Sequence, residues 1–218
     1  GTQEITGVTT LVAGSNDITL DTSTNNFAAA VVITSGRNVA ITDEDTIDLG
    51  ASTVSGTYAV TATTGDITDS GTQEIAGVTT LAAGSGNDIT LDTSTNNFAA
   101  AVAITSGRNV AITDEDAIVL GASTVSGTYA VTATTGDITD SGNLTITGAA
   151  TFITGASGSN IILDASGNAF SDSVTLKADT SGNEAFGDIT FVDSAAVKLH
   201  SSAGTNGDLY INASTDGV

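Results

Sequence analysis

The sequence predicts an all-β fold: a right-handed parallel β-helix, or β-solenoid, of about nine coils in three repeats of about 71 residues. Three observations carry this. The chain repeats itself, nearly letter for letter, over residues 1–70 and 71–141. A short strand-like motif recurs nine times along it. Segments with a helical period of 3.6 residues are missing.

The repeat comes first. Both copies open on Gly-Thr-Gln-Glu-Ile, at Gly1 and Gly71, and both close on Gly-Asp-Ile-Thr-Asp-Ser, at Gly65 and Gly136. Five positions differ: Thr6/Ala76, Val12/Ala82, Val32/Ala103, Thr46/Ala117 and Asp48/Val119. Gly86 is inserted. Residues 142–218 form a diverged third copy, in which Phe170 matches Phe98 and Leu199 matches Leu120. The expected organisation is one continuous solenoid over residues 1–218.

The motif has five residues, with apolar second and fourth positions. It reads Asp17-Ile-Thr-Leu-Asp21, Asn38-Val-Ala-Ile-Thr42 and Thr57-Tyr-Ala-Val-Thr61 in the first copy. It returns at Ile89, Val110 and Tyr129, then at Ile161, Ile189 and Leu209. Alternation over five residues is the period of a half-buried strand. Val, Ile and Thr favour strands, and the bracketing Gly, Asn, Asp and Ser favour turns. The expected core is therefore Ile18, Leu20, Val39, Ile41, Tyr58, Val60 and their equivalents, with Asp17 and Thr19 facing water.

Competing all-β readings fit less well. An immunoglobulin-like sandwich needs about 100 residues and a bulky aromatic core. This chain has no Trp, three Tyr and six Phe. A propeller blade needs about 40–50 residues, which does not match the period. A solenoid absorbs variable spacing as loops at coil corners, such as the extension around Lys177 to Phe186. One coil cannot stand alone, so neighbouring coils must cover it.

Composition narrows function. The chain has 25 acidic and 4 basic residues, a formal charge of −21, and no Cys, Met or Pro. That charge argues against nucleic acid and anionic membranes as partners. No apolar run reaches the roughly 20 residues of a bilayer span, so no membrane insertion is expected. Without Cys there is neither a disulfide framework nor a thiolate metal site. The chain begins at Gly1 rather than Met and is read as an interior segment.

Candidate chemistry is sparse. His200 is the one His, with Ser201 and Asp193 nearby in sequence, but nothing positions them as a catalytic set. The acidic clusters Asp43-Glu44-Asp45 and Asp114-Glu115-Asp116 are duplicated with the repeat and reduce to Asp193 in the third copy. Paired carboxylates serve glycosidases. An enzyme, however, elaborates one site, so no catalytic residues are expected. No cofactor is expected either. Calcium is the ion these clusters and the Gly65-Asp-Ile-Thr-Asp69 loop suit, through carboxylates and carbonyls in loops. Solvated acidic turns account for the same residues. Arg37 and Arg108 occupy equivalent turns and should pair with local carboxylates. Thr-Ala-Thr occurs once per copy, at 61–63 and 132–134, too sparsely for a regular Thr lattice. Asn143-Leu-Thr145 and Asn212-Ala-Ser214 are sequons short enough to be chance.

The runs Gly65-Asp-Ile-Thr-Asp-Ser-Gly71, Val8-Thr-Thr-Leu11, Asn16-Asp-Ile-Thr-Leu20 and Asn38-Val-Ala-Ile-Thr-Asp43 carry a further clue. In this repeat style the chain resembles large filamentous-haemagglutinin-like bacterial adhesins, many of them exported by two-partner secretion. The resemblance implies a right-handed parallel β-helix, a place outside the cell or on the bacterial surface, and a role as adhesive stalk or fibre. The family's amino-terminal secretion domain is not seen among these residues. The expected function is a non-catalytic stalk or fibre segment of a large secreted surface protein. The alternatives are a self-assembling extracellular filament subunit and a carbohydrate-active β-helix enzyme. Expected partners are neighbouring repeats of the same chain or end-to-end copies, with surface glycans or other cells as outer contacts.

Overall fold

The computed structural model describes residues 1–178 and 187–194, and the backbone of the strand Leu209–Ala213. His200, Ser201, Lys198 and most of the Lys177–Phe186 extension lie outside these residues. Every strand pair is parallel, and residues 1–178 make about eight turns of an all-β solenoid.

Two broad sheets enclose the core. Sheet one stacks strands that begin at Thr9, Val31, Ile47, Ile67, Ile89, Val110, Tyr129, Ala150 and Val174. Sheet two stacks ten, beginning at Ile18, Val39, Tyr58, Thr79, Val102, Ile118, Ile138, Ile161, Ile189 and Leu209. Along the chain these strands alternate strictly between the sheets through Ile189. Alternating side chains do the rest. Inward residues such as Ile47, Ile67, Ile89 and Val110 form one continuous aliphatic column, and Thr68, Thr90 and Ala111 point outward between them.

The nine sequence motifs are all strands, but they do not form one column. Ile18 pairs with Val39 and Val39 with Tyr58 in sheet two, whereas their equivalents Ile89, Val110 and Tyr129 pair in sheet one. The reason is an odd number. The first copy holds seven broad-sheet strands, beginning at Thr9, Ile18, Val31, Val39, Ile47, Tyr58 and Ile67. Two such strands make one turn, so each copy makes three and a half. Successive copies are therefore related by a half-turn about the rod and a rise of roughly 17 Å, at about 4.8 Å per coil.

Short third strands widen one edge of the rod. Glu4–Ile5 pairs with Asn26–Phe27; residues 52–54 pair with Gln73–Ile75, which pairs with Asn97–Phe98; Ser123–Val125 pairs with Leu144–Ile146, which pairs with Ala169–Phe170. The half-turn places successive groups on opposite edges.

Among the described residues the expected core is buried, apart from Leu20; the side chains of Leu209 and Ile211 lie outside them. Leu20 is partly exposed in the first coil, while its equivalents Leu91 and Leu163 are fully buried between coils. Asp17 and Thr19 are exposed, as the alternation requires. From the end of the second copy into the third, Tyr129, Phe152, Phe170 and Phe191 join edge to face and tilted, with centroids 5.1–6.1 Å apart.

Candidate functional site

The acidic clusters split into an inward and an outward part. Asp43, Asp114 and Asp193 are each the last residue of a strand, and each is fully buried. Ten residues, 21–30, join Leu20 to Val31 and include the third strand Asn26–Phe27. One coil higher, only residues 44–46 join Asp43 to Ile47, and there is no room for another. The third sheet must stop there, and its last strand would bury an unpaired donor. Asp43 Oδ2 accepts that donor, the Phe27 N–H, at 2.9 Å, and its Oδ1 accepts the Asp45 N–H at 2.9 Å. Asp114 does the same for Phe98 and Asp116, at 2.9 and 2.8 Å. Asp193 Oδ1 accepts from Phe170 N–H at 3.3 Å.

Burial raises the pKa of Asp43 above the usual carboxylate value, and that of Asp114 to about 6, against the opposing pull of these N–H donors. Both oxygens of Asp43 and of Asp114 are thus engaged by backbone. Glu44, Asp45, Glu115 and Asp116 face water. Thr64 Oγ1 donates to Glu44 O at 2.7 Å, and Thr135 Oγ1 to Glu115 O at 2.8 Å. Among the described residues no three carboxylates or imidazoles are grouped to hold one metal ion.

Asn25, Asn96 and Asn168 complete each corner, and sequence reading passed over them. All three are buried. Their Oδ1 atoms accept N–H bonds from Gln3, Gln73 and Leu144, at 2.9, 2.9 and 2.8 Å. Asn96 and Asn168 donate to Asp69 and Asp140, at 2.7 and 2.6 Å, while Asn25 donates to Leu20 O at 2.9 Å. The signal was present: the third copy keeps this Asn two residues before Phe170 while its neighbours change.

The polar first position of each motif has a structural use. Asp17 Oδ1 accepts the Asn38 N–H, and Asn38 Oδ1 accepts the Thr57 N–H, both at 3.1 Å. The ladder Asp66, Asp88, Asn109, Thr128 repeats this at the head of sheet-one strands, and Asp137, Asn160, Asp188 repeats it again at the head of sheet-two strands. Each side chain thereby ties one coil to the next. Arg37 and Arg108 make the expected pairs, forking onto Asp17 and Asp88 at 2.8 and 2.9 Å. Hydrogen bonds from these guanidiniums hold both carboxylates at a pKa of about 2.

A family model now meets this geometry. It matches residues 1–34, 36–105 and 107–177, and is described as repeats of unknown function (DUF5649). The chain belongs to the DUF5649 repeat family. The two longer matches begin 71 residues apart, the spacing of the copies. No curated protein and no solved structure matches the chain.

The DUF5649 repeat also carries one recurrent surface groove, of about 360 Å³, over its third sheet. Glu4, Ile5, Asn26 and Ala28 line it in the first copy, and Glu74, Ile75, Asn97 and Ala99 in the second. Each groove sets an acceptor and a carboxamide over an aliphatic floor. In the third copy Thr145 and Ala169 replace Glu74 and Asn97 at the matching register.

Proposed function

We propose that this chain is a non-catalytic stalk or fibre segment of a large bacterial surface protein, placed outside the cell. The observation that carries the reading is the unbroken core. Aliphatic columns run through every described coil, and the chemistry-bearing carboxylates serve coil-to-coil bonding. A rod lengthened by copying whole repeats gains reach without refining any one site. The charge of −21 on a narrow rod keeps neighbouring rods apart. The resemblance to filamentous-haemagglutinin-like adhesins points the same way.

For adhesion, the grooves holding Glu4 with Asn26 and Glu74 with Asn97 are the places where hydroxyl-pairing groups converge, so surface glycans are the ligand class. Electron microscopy of the producing cells, with antibodies raised against residues 1–178, tests the reading. Labelled rods of uniform width standing off the surface support it. Label on short discrete particles, or inside the cell, contradicts it.

A further inference from the structure

The outer face of the third sheet carries a polar ladder along the rod. Thr53, Glu74 and Asn97 are register partners on successive coils, about 4.8 Å apart, and all three line the groove of the second copy. One coil further on, Asn97 Nδ2 donates to Asp116 Oδ2 at 3.4 Å, and Thr135 Oγ1 donates to Asp116 Oδ1 at 3.0 Å. The first copy repeats these bonds. Asn26 Nδ2 donates to Asp45 Oδ2 at 3.3 Å, and Thr64 Oγ1 donates to Asp45 Oδ1 at 3.3 Å.

These bonds set the polarity of the groove. With Nδ2 committed to Asp116, the Asn97 carboxamide turns its Oδ1 toward the coil of Glu74. The Glu74 carboxylate is exposed and has no hydrogen-bond or ion-pair partner among the described residues. A ligand therefore meets a carboxylate beside a carbonyl, two acceptors with no cation to answer them. Arg37 and Arg108 are committed elsewhere, forked onto Asp17 and Asp88. Next to the acceptor pair, Ala76 and Ala99 expose their methyl groups in the same groove.

We propose that the Glu74 groove, with its twin at Glu4, takes an amine-bearing glycan. The sugar ammonium sits between the Glu74 carboxylate and Asn97 Oδ1, and the C–H face of the ring lies on Ala76 and Ala99. This rests on the reading above that the grooves are glycan sites, and it narrows the ligand. An ammonium has three donors and no acceptor, which is what two facing acceptors require. A hydroxyl would bring lone pairs against them, and an acidic sugar would be repelled. In the third copy Thr145 and Ala169 stand at the matching register, so the carboxylate and the carboxamide are both gone and this ligand is not held there.

Calorimetric titration of the 218-residue chain with an oligomer of glucosamine tests this. The N-acetylated oligomer of the same length and an oligolysine of the same charge serve as comparisons. The glucosamine oligomer is expected to bind at the two grooves, and each comparison at least about tenfold more weakly. Glu74→Gln is expected to leave one site, and Glu4→Gln with Glu74→Gln none. Asp164→Asn removes the same charge from an exposed position in the third copy and is expected to leave binding unchanged. Equal, Glu74-dependent binding of the acetylated oligomer overturns the proposal and leaves the glycan reading standing. Equal binding of oligolysine, or equal weakening by Asp164→Asn, overturns it in favour of a cationic peptide or of charge attraction alone. Binding of neither oligosaccharide overturns it together with the glycan reading.

Discussion

The carboxylate of Asp43 receives the backbone N–H of Phe27 at 2.9 Å, and 71 residues later Asp114 receives that of Phe98 at the same distance. The two bonds stand on opposite edges of the rod. Both end a third sheet where the chain has too few residues to continue it. Removing the acceptor should therefore be costly. Asp114→Ala leaves two backbone donors without their acceptor, at about 1–3 kcal/mol for each one buried. The expected loss is about 2–4 kcal/mol in denaturant unfolding. A Glu115→Ala change on the exposed neighbour should stay within about 0.5 kcal/mol.

The same carboxylate predicts how stability depends on pH. Its folded pKa, about 6, lies above the ordinary Asp value of about 4. The native state therefore holds the proton more tightly than the unfolded chain does. The contribution is fully present below about pH 4 and is lost as pH rises through about 6. Asp17 and Asp88, held near 2, act oppositely: their contribution is present above about pH 4 and fades as pH falls toward 2. Melting temperature should thus be higher at pH 4.5 than at pH 7.5. In Asp114→Asn the rise between pH 6 and pH 4 should shrink, at an overall lower stability. An unchanged slope in thermal scans would count against the assignment.

Glycine shows what stacking demands. A Cβ on Gly77 would lie 2.4 Å from Gly56 O, and one on Gly148 2.5 Å from Gly127 O. Gly7 occupies the same sequence position in the first copy, where nothing lies within 4 Å. Gly77→Ala should cost about 1–3 kcal/mol through forced backbone shifts, whereas Gly7→Ala should be close to neutral. Chemical unfolding of the two variants side by side checks this.

Tyr58 and Tyr129 are buried, and neither hydroxyl has a hydrogen-bond partner among the described residues. Desolvation pushes both phenol pKa values up, and the neighbouring Ser52 and Ser123 hydroxyls donate elsewhere, to Gly50 O and Gly121 O. A buried hydroxyl left unpaired is a cost that Phe does not carry. Tyr58→Phe and Tyr129→Phe should leave the melting temperature unchanged or raise it. A loss above about 1 kcal/mol would contradict this account of the core.

Much of the fold was legible because period-two alternation maps directly onto inside and outside. Ile18, Val39 and Tyr58 announced their strands, and the duplicated text announced stacking. The half-turn was harder to read. The strands at Thr9, Val31, Ile47 and Ile67 stand outside the nine motifs, so the motifs looked like nine stacked equivalents. Only pairing shows Ile89 above Ile67 and not above Tyr58. Asp43 was read with its exposed neighbours because a polar run in a turn ordinarily faces water. Its inward role depends on Phe27, 16 residues away, being a sheet-edge donor. The survival of Asp193 without an acidic neighbour was the trace of that role.

The central claim is the three-and-a-half-turn repeat, and one pair of disulfide traps tests it most directly. Thr68 and Thr90 are register partners in sheet one, while Ala59 belongs to sheet two. Had the motifs stacked in order, Thr90 would lie over Ala59 instead. Thr68→Cys with Thr90→Cys should oxidise readily to an intramolecular disulfide, detected by intact mass and thiol titration. Ala59→Cys with Thr90→Cys should keep both thiols free. A disulfide in the second variant and free thiols in the first would contradict the half-turn relation between copies.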